Sequence, residues 1–146
     1  MAACGIAIAA PAIASPGHAH HPDRVVAGTL TTEVTPCDSL CTESEWTGVL
    51  DGVSSFSLIS MSDADIPGEN VSRFHGHLAL STAHGDLIGT DLGVWNLDSG
   101  HYVDVYTVTS GSDELAGASG VIVLFGTLDP VTGSGFSHYQ GLLTWR

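Results

Sequence analysis

The stretch from Tyr102 to Leu128 places the strongest constraint on what this chain can fold into. Its first eight residues alternate Tyr, Asp, Tyr and Val with Val, Val, Thr and Thr, and this period of two is typical of a β-strand. The pattern breaks at Gly111, which permits a sharp change of direction, and a flanking serine can cap a short helix. A second strand runs from Val121. We therefore predict two strands joined by a short helical turn near 112–117.

Leu115 is the only large apolar residue within that turn. An apolar side chain carried on a short turn between two strands is well placed to plug one end of the space that the strands enclose. We therefore expect Leu115 to close one end of the structure and to be available for contact with anything held inside.

The rest of the chain consists of further period-two segments separated by turns that contain glycine or proline. The predicted strands cover residues 25–34, 43–50, 53–61, 71–82, 86–97, a segment from 102, 121–128 and 135–145. Eight antiparallel strands connected in sequence remove their exposed edges by closing into a barrel. The sequence thus predicts an all-β, up-and-down barrel wide enough for side chains or one small ligand.

Composition limits the number of domains and the class of partner. With 146 residues, of which 43% are apolar, the chain is long enough for one domain, which we place at 25–146. The chain has sixteen acidic residues, three arginines and no lysine, which gives it a net charge of −13. Such a surface repels phosphate groups, so we expect no nucleic acid partner and no anionic membrane partner.

Residues 1–24 differ in composition from the barrel segment and are interpreted as a signal peptide remnant and flexible N-terminus. The segment is rich in alanine and isoleucine, and small residues give two cleavage signals, one ending at Ala14 and one at Ala19. A basic region before the apolar run is absent. The run is too short for a stable membrane span. We therefore expect the protein to be secreted or held at the cell surface.

Cys37 and Cys41 are the two cysteines of the predicted domain, in the sequence TPCDSLCTE. In an exported chain such a pair indicates a small disulfide loop between two strands. A zinc site is the alternative, but it needs further cysteine or histidine ligands in register. We expect the disulfide.

Candidate catalytic and ligand-binding side chains lie on strands five and six. Each strand carries one acid and aromatic residues on a single face; the residues are Asp91 and Trp95 on strand five, and Tyr102, Asp104 and Tyr106 on strand six. If these faces point inward, a carboxyl group desolvated among aromatic rings has a raised pKa and can pass a proton to a substrate. If they point outward, the acids are ordinary solvated residues, and parity alone does not decide between these cases.

Other features favour no metal and no organic cofactor. His75 and His77 share a strand face, a spacing found in some metal sites, but with Arg73 beside them they form a polar exterior row more simply. Motifs for hydrolases, zinc proteases, phosphate-binding loops and dinucleotides are absent from the sequence.

The segment VTSGSDELAGASG, from Val108 to Gly120, resembles the glycine-rich turn of allene oxide cyclases and dirigent proteins, and more closely that of secreted bacterial relatives. The likeness covers roughly residues 28–145. It departs from the family pattern at Asp113, where glycine is usual, and at Leu115, where an aromatic residue is usual. The active-site segment of the plant cyclases and the Asp-Asp motif of dirigent proteins match no stretch of this chain. The resemblance implies an eight-stranded barrel, often trimeric, with a lumen for a small hydrophobic compound.

Strand seven is apolar on both faces, with Val121, Val123 and Phe125 on one side and Ile122 and Leu124 on the other. Such a strand needs cover on both sides. A subunit interface, in agreement with the trimers that the resemblance implies, or a packed N-terminal segment would supply it.

Two functions are therefore expected from the sequence. The first is binding of a small hydrophobic compound in the lumen, with cofactor-free cyclisation or isomerisation as the associated reaction. The second is a non-catalytic exported protein whose barrel is filled by its own side chains and which acts at the cell surface. A cavity that contains Asp91 or Asp104 favours the first, and a filled interior favours the second.

Overall fold

The computed structural model describes residues 22–146, so most of the predicted signal segment, with both cleavage signals, lies outside the described residues. Eight strands make up most of the described chain. They are β1 (Arg24–Thr35), β2 (Cys41–Gly48), β3 (Gly52–Asp63), β4 (Val71–Thr82), β5 (Gly85–Asn96), β6 (His101–Gly111), β7 (Ser119–Leu128) and β8 (Ser134–Thr144).

The strands form one closed antiparallel barrel, which confirms the predicted fold class. Each strand pairs with the next in the chain, and β8 returns to pair with β1. Closure leaves no strand edge unpaired, so the backbone donors and acceptors of all eight strands can be satisfied within the sheet. We call the end with the β2–β3, β4–β5 and β6–β7 connections the closed end, and the opposite end the open end.

A single 3-10 turn, Asp113–Leu115, crosses the closed end, as predicted. Leu115 is buried there among the core side chains, which confirms that it plugs one end of the barrel. The predicted serine cap is wrong. The Ser112 hydroxyl makes no cap hydrogen bond; it donates to the Asp113 carboxylate and accepts the N–H of Asp86, so it links the turn to β5 instead.

The closed half of the lumen is filled by large side chains. The rings of Trp46 and Tyr139 lie 4.7 Å apart, and both residues are almost fully buried. The Tyr139 hydroxyl accepts the N–H of Leu50 at 2.9 Å and donates to the carbonyl of Thr47 at 3.1 Å. These bonds tie the β2–β3 turn to β8.

They also explain why β2 differs from its prediction. The strand ends at Gly48, where φ is +109°, and not at Leu50, because Leu50 is held in the turn by Tyr139. The pairing of Trp46 with Gly52 then brings β2 directly into β3.

The predicted disulfide between Cys37 and Cys41 is present, with Cα atoms 6.0 Å apart. It closes the β1–β2 connection at the open end. Leu40 lies inside this loop, and its carbonyl accepts the N–H of Leu58 on β3 at 2.9 Å. The disulfide loop is therefore held over the mouth of the barrel.

Among residues 22–146, no helix has the length and apolar character needed to cross a membrane.

Candidate functional site

A cavity occupies the half of the lumen nearer the open end. Its walls combine two acids with aromatic, aliphatic and hydroxyl side chains: Leu30, Thr32, Leu40, Thr42, Ser44, Phe56, Phe74, Leu78, Asp91, Trp95, Tyr102, Asp104, Leu124 and Leu128. The cavity has a volume of about 60 Å³, or about 530 Å³ when the space at its mouth, which is open to solvent, is included. The cavity is thus narrow, and it suits a slender molecule.

Register brings the two acids together. On the neighbouring strands β5 and β6, Asp91 pairs with Tyr106 and Gly93 pairs with Asp104. Asp91 and Asp104 are therefore diagonal neighbours on the inner face, within reach of each other's side chains. Both predicted strand faces point into the lumen. The alternation of residues in the sequence did not decide whether these acids lie inside or outside the barrel, and the structure places them inside.

Glycines make room for this arrangement. A Cβ atom on Gly93 would lie 2.5 Å from the Cβ of Asp104 and 2.6 Å from the ring of Phe74. A Cβ atom on Gly76, which pairs with Asp91, would meet the ring of Phe56. Larger residues at these two positions would displace the acids or the aromatic rings that line the cavity.

The two carboxyl groups share one proton near neutral pH. Burial raises the pKa of Asp91 to about 6, although a hydrogen bond with Asp104 and the N–H of Leu92 oppose the shift. Burial, the charge of Asp91 and the hydrogen bond between them raise the pKa of Asp104 well above its usual range. Asp104 therefore keeps its proton and Asp91 is the carboxylate that ionises first.

The pair retains unused hydrogen-bonding capacity. Asp91 is 3% exposed and Asp104 is 5% exposed, yet the Oδ1 atom of each has no hydrogen-bond partner. Buried polar atoms are nearly always paired, and leaving one unpaired costs about 1–3 kcal/mol. Two such atoms in the wall of one cavity are the feature expected of a site that a ligand completes.

Most other polar groups of the wall already have partners. The Tyr102 hydroxyl lies 2.6 Å from that of Ser137, and the Thr32 hydroxyl lies 2.8 Å from that of Ser44. The Trp95 N–H donates to the carbonyls of Gly100 and Leu128. Burial and the nearby charge of Asp104 raise the pKa of Tyr102, so its phenol stays neutral.

The structure brings together four of the six residues predicted for catalysis or ligand binding. Asp91, Trp95, Tyr102 and Asp104 line the cavity. Tyr106 also points inward, but it is fully buried below the cavity and its hydroxyl donates to the carbonyl of Leu87. Leu115 lies at the closed end, away from the acids.

Sequence reasoning missed the rest of the cavity wall, outside β5 and β6. Thr32, Ser44, Phe56, Phe74 and Leu124 belong to five other strands. Their period-two patterns were visible, but a pattern within one strand does not reveal which distant strand it faces. Barrel closure supplies that information.

The histidines on β4 lie outside this site. His75 and His77 are paired with Leu92 and Thr90 of β5 at positions that face away from Leu78, which is buried in the lumen. This confirms the predicted exterior row. Within residues 22–146, no three histidine, cysteine, aspartate or glutamate side chains are grouped so as to hold a metal ion.

The Asp pair should make the stability of the fold depend on pH. Because both pKa values are raised in the folded state, the folded protein binds protons more tightly than the unfolded chain, and the free energy of unfolding falls as the pH rises from about 4 through about 6. We expect Asp91→Asn to reduce this fall by on the order of 2–3 kcal/mol. Urea unfolding at pH 4 and at pH 7 measures this difference in the free energy of unfolding. Asp86→Asn, an exposed acid on the same strand, is the control, and equal pH dependence in both variants would contradict the expectation.

Comparison with models of protein families, with curated proteins and with solved structures gave no match to this chain. The resemblance to allene oxide cyclases and dirigent proteins therefore stays a prediction from the sequence, and the barrel itself is the established result.

Proposed function

We propose that this protein binds a small hydrophobic molecule in the open half of its lumen. The observation that carries the proposal is the position of two unpaired carboxyl oxygens in the wall of an otherwise largely apolar, aromatic cavity. A barrel that only needed a filled interior could replace the acids by apolar residues at little or no cost in stability. The packed closed half, where Trp46, Leu80 and Leu87 leave no such space, provides the contrast within the same molecule.

The alternative is a non-catalytic surface protein with a side-chain-filled barrel. Filling of the closed half and the narrowness of the cavity favour that alternative. The buried, incompletely bonded acids favour a ligand, because a filled barrel has no reason to retain them. We give the acids more weight, because burying a carboxyl group without all its hydrogen bonds lowers the stability of the folded protein, and a filled barrel gains nothing in return.

Export is part of the proposal. It is supported by the disulfide between Cys37 and Cys41, since such bonds persist in oxidising compartments outside the cytosol. The cleavage signals near Ala14 and Ala19 add support from the sequence.

If the lumen binds a ligand, a larger side chain introduced into the cavity wall should weaken the binding of a linear probe. We expect n-hexanol to bind the full chain and Ser44→Met to weaken that binding by about tenfold or more, because Ser44 is buried in the wall. Glu45→Met is the matched control, since Glu45 is the next residue along β2 and is exposed. Isothermal titration calorimetry measures both. Absence of hexanol binding, or equal loss in the two variants, would argue for the filled-barrel alternative.

A proton-transfer reaction is a second candidate, favoured by the unequal proton affinities of the two acids. Asp91, ionised above about pH 6, can remove a proton from one carbon atom and return it to another, while Asp104, which keeps its own proton, limits the pair to a single negative charge. In an isomerisation of this kind one C–H bond breaks and another forms, so no cofactor is consumed.

Pent-4-en-2-one, a slender ketone with a terminal double bond, tests this chemistry. Catalysis moves the double bond into conjugation with the carbonyl and is followed by ultraviolet absorbance. We expect Asp91→Asn to lower the rate above that of buffer by about 100-fold or more, because it removes the base, while Asp86→Asn retains the rate. A rate that is unchanged in Asp91→Asn would exclude the Asp pair from catalysis.

Self-association is also part of the proposal, with a trimer as the expected state. Strands β6, β7 and β8 contain a single acidic residue, Asp104, and it points inward. Their outer surface, with that of β5, carries apolar side chains that are 37–61% exposed: Leu92, Val94, Val103, Val105, Val121, Phe125, Phe136 and Leu142. At these exposures the side chains present on the order of 700 Å² of accessible surface, close to the ~800 Å² that each partner buries in a protein–protein interface of standard size.

Charge favours a second copy of the chain as the partner for this surface. The net charge of −13 opposes contact between two copies elsewhere, but β6, β7 and β8 present no carboxylate on their outer faces. Light scattering after size exclusion should therefore give a multiple of the 15.0 kDa chain mass, and Val105→Asp should reduce it to the monomer. Val53→Asp on β3, also at an exposed valine, is the control. A monomeric parent protein would contradict the proposal.

A further inference from the structure

The buried polar side-chain atoms that lack a hydrogen-bond partner around this cavity are acceptors. The Trp95 N–H and the hydroxyls of Tyr102, Thr32 and Ser44 are engaged in the bonds described above. Thr42 supplies the one other hydroxyl in the wall. The unpaired atoms are carboxyl oxygens, so a ligand that completes the site must supply donors.

The charge of the cavity has no compensation within the described residues. Its wall contains two acids and no arginine, lysine or histidine. The whole chain has no lysine, and its three arginines lie at positions 24, 73 and 146, none of them in the wall. A buried carboxylate without a partner is costly, and a cation brought by the ligand would offset that cost.

The aromatic residues around the acids can also stabilise a cation. The rings of Phe56 and Phe74 meet edge to face with centroids 6.0 Å apart, and Trp95 and Tyr102 complete an aromatic lining. A positive charge near aromatic faces is attracted by their quadrupoles, more strongly where water is excluded.

A metal ion fits these features less well. Divalent cations with oxygen ligands require about six donors, whereas two carboxyls are the only acidic groups in the wall and no larger group of metal-binding side chains exists among residues 22–146. An ammonium group needs only two or three acceptors, and a thin alkyl chain behind it suits the narrow apolar space.

We infer that the ligand of the lumen is a slender primary amine, whose ammonium group donates hydrogen bonds to the carboxyl groups of Asp91 and Asp104 while its alkyl or aryl chain lies against the aromatic wall. The inference rests on the proposed lumen site and names the class of molecule that the site takes. An amine bound in this way is a carried ligand and not a substrate for proton abstraction, because it occupies the carboxylate that would act as the base.

The experiment compares n-hexylamine, n-hexanol and hexanoate, three probes of equal chain length that differ in the head group. Calorimetric titration of the full chain at pH 7.5 should show hexylamine binding at least about tenfold more tightly than hexanol, and no measurable binding of hexanoate. Asp91→Asn should weaken hexylamine by about tenfold or more, and by a clearly larger factor than it weakens hexanol. Asp86→Asn should change neither, and thermal unfolding verifies that each variant is folded.

The outcomes separate this inference from the proposed function. If hexanol binds as tightly as hexylamine, or if Asp91→Asn leaves hexylamine binding intact, the amine is not selected and the inference is overturned while lumen binding stands. If none of the three probes binds the folded protein, both the inference and lumen binding are overturned. Preference for hexylamine that depends on Asp91 supports both.

Discussion

Pairing of the first strand with the last is the interaction on which the rest of this structure depends. Gly28 on β1 lies opposite Tyr139 on β8, and a Cβ atom there would come within 2.7 Å of the tyrosine ring. The missing side chain lets Tyr139 lie across the closed end, stack on Trp46 and hold the Leu50 turn. Closure removes the strand edges, and it also packs the half of the lumen around Trp46 and Tyr139, so that the cavity with the two acids lies in the other half.

Retention of two acids in that remaining space requires a physical explanation. Desolvation opposes their ionisation, and sharing one proton limits the cost to a single negative charge. Even so, each leaves an oxygen without a partner. Buried polar groups with a structural role normally have a hydrogen-bond partner, as Tyr102 has in Ser137 in the same wall. Incomplete use by Asp91 and Asp104, next to groups that are complete, distinguishes a site from a structural network.

Much of the fold follows from the sequence, because period-two patterns and glycine turns are local signals. They locate all eight strands to within about two residues, the turn that carries Leu115, and the Cys37–Cys41 loop. The end of β2 is set by a hydrogen bond from Leu50 to Tyr139, 89 residues away, so no local pattern contains it. The role of Ser112 likewise depends on Asp86 across the closed end.

The site was predictable only in part, for the same reason. Parity groups Asp104 with Tyr102 and Tyr106 on one face, but it does not state whether that face is inside or how deep each residue lies. Tyr106 is on the correct face and still does not line the cavity, because its position along β6 places it in the packed half, where its hydroxyl binds Leu87. Depth along the barrel axis is set by the stagger of the strands, which only the closed structure contains.

A local irregularity finally links the interior and the exterior of the barrel. Between Ile88 and Gly89 the β5–β6 register shifts by one residue, and the extra residue, Thr109, donates its hydroxyl to the Ile88 carbonyl at 3.1 Å. Because of this shift, Gly111 pairs with Leu87 and faces the barrel interior beside Leu115 at the closed end. Asp104, further along β6, still points into the lumen. A one-residue slip of β6 would exchange its faces, placing Asp104 outside and Val105 inside. The position of Asp104 in the cavity and the absence of acids from the outer face of β6 are therefore two consequences of one register, and neither can be lost without the other.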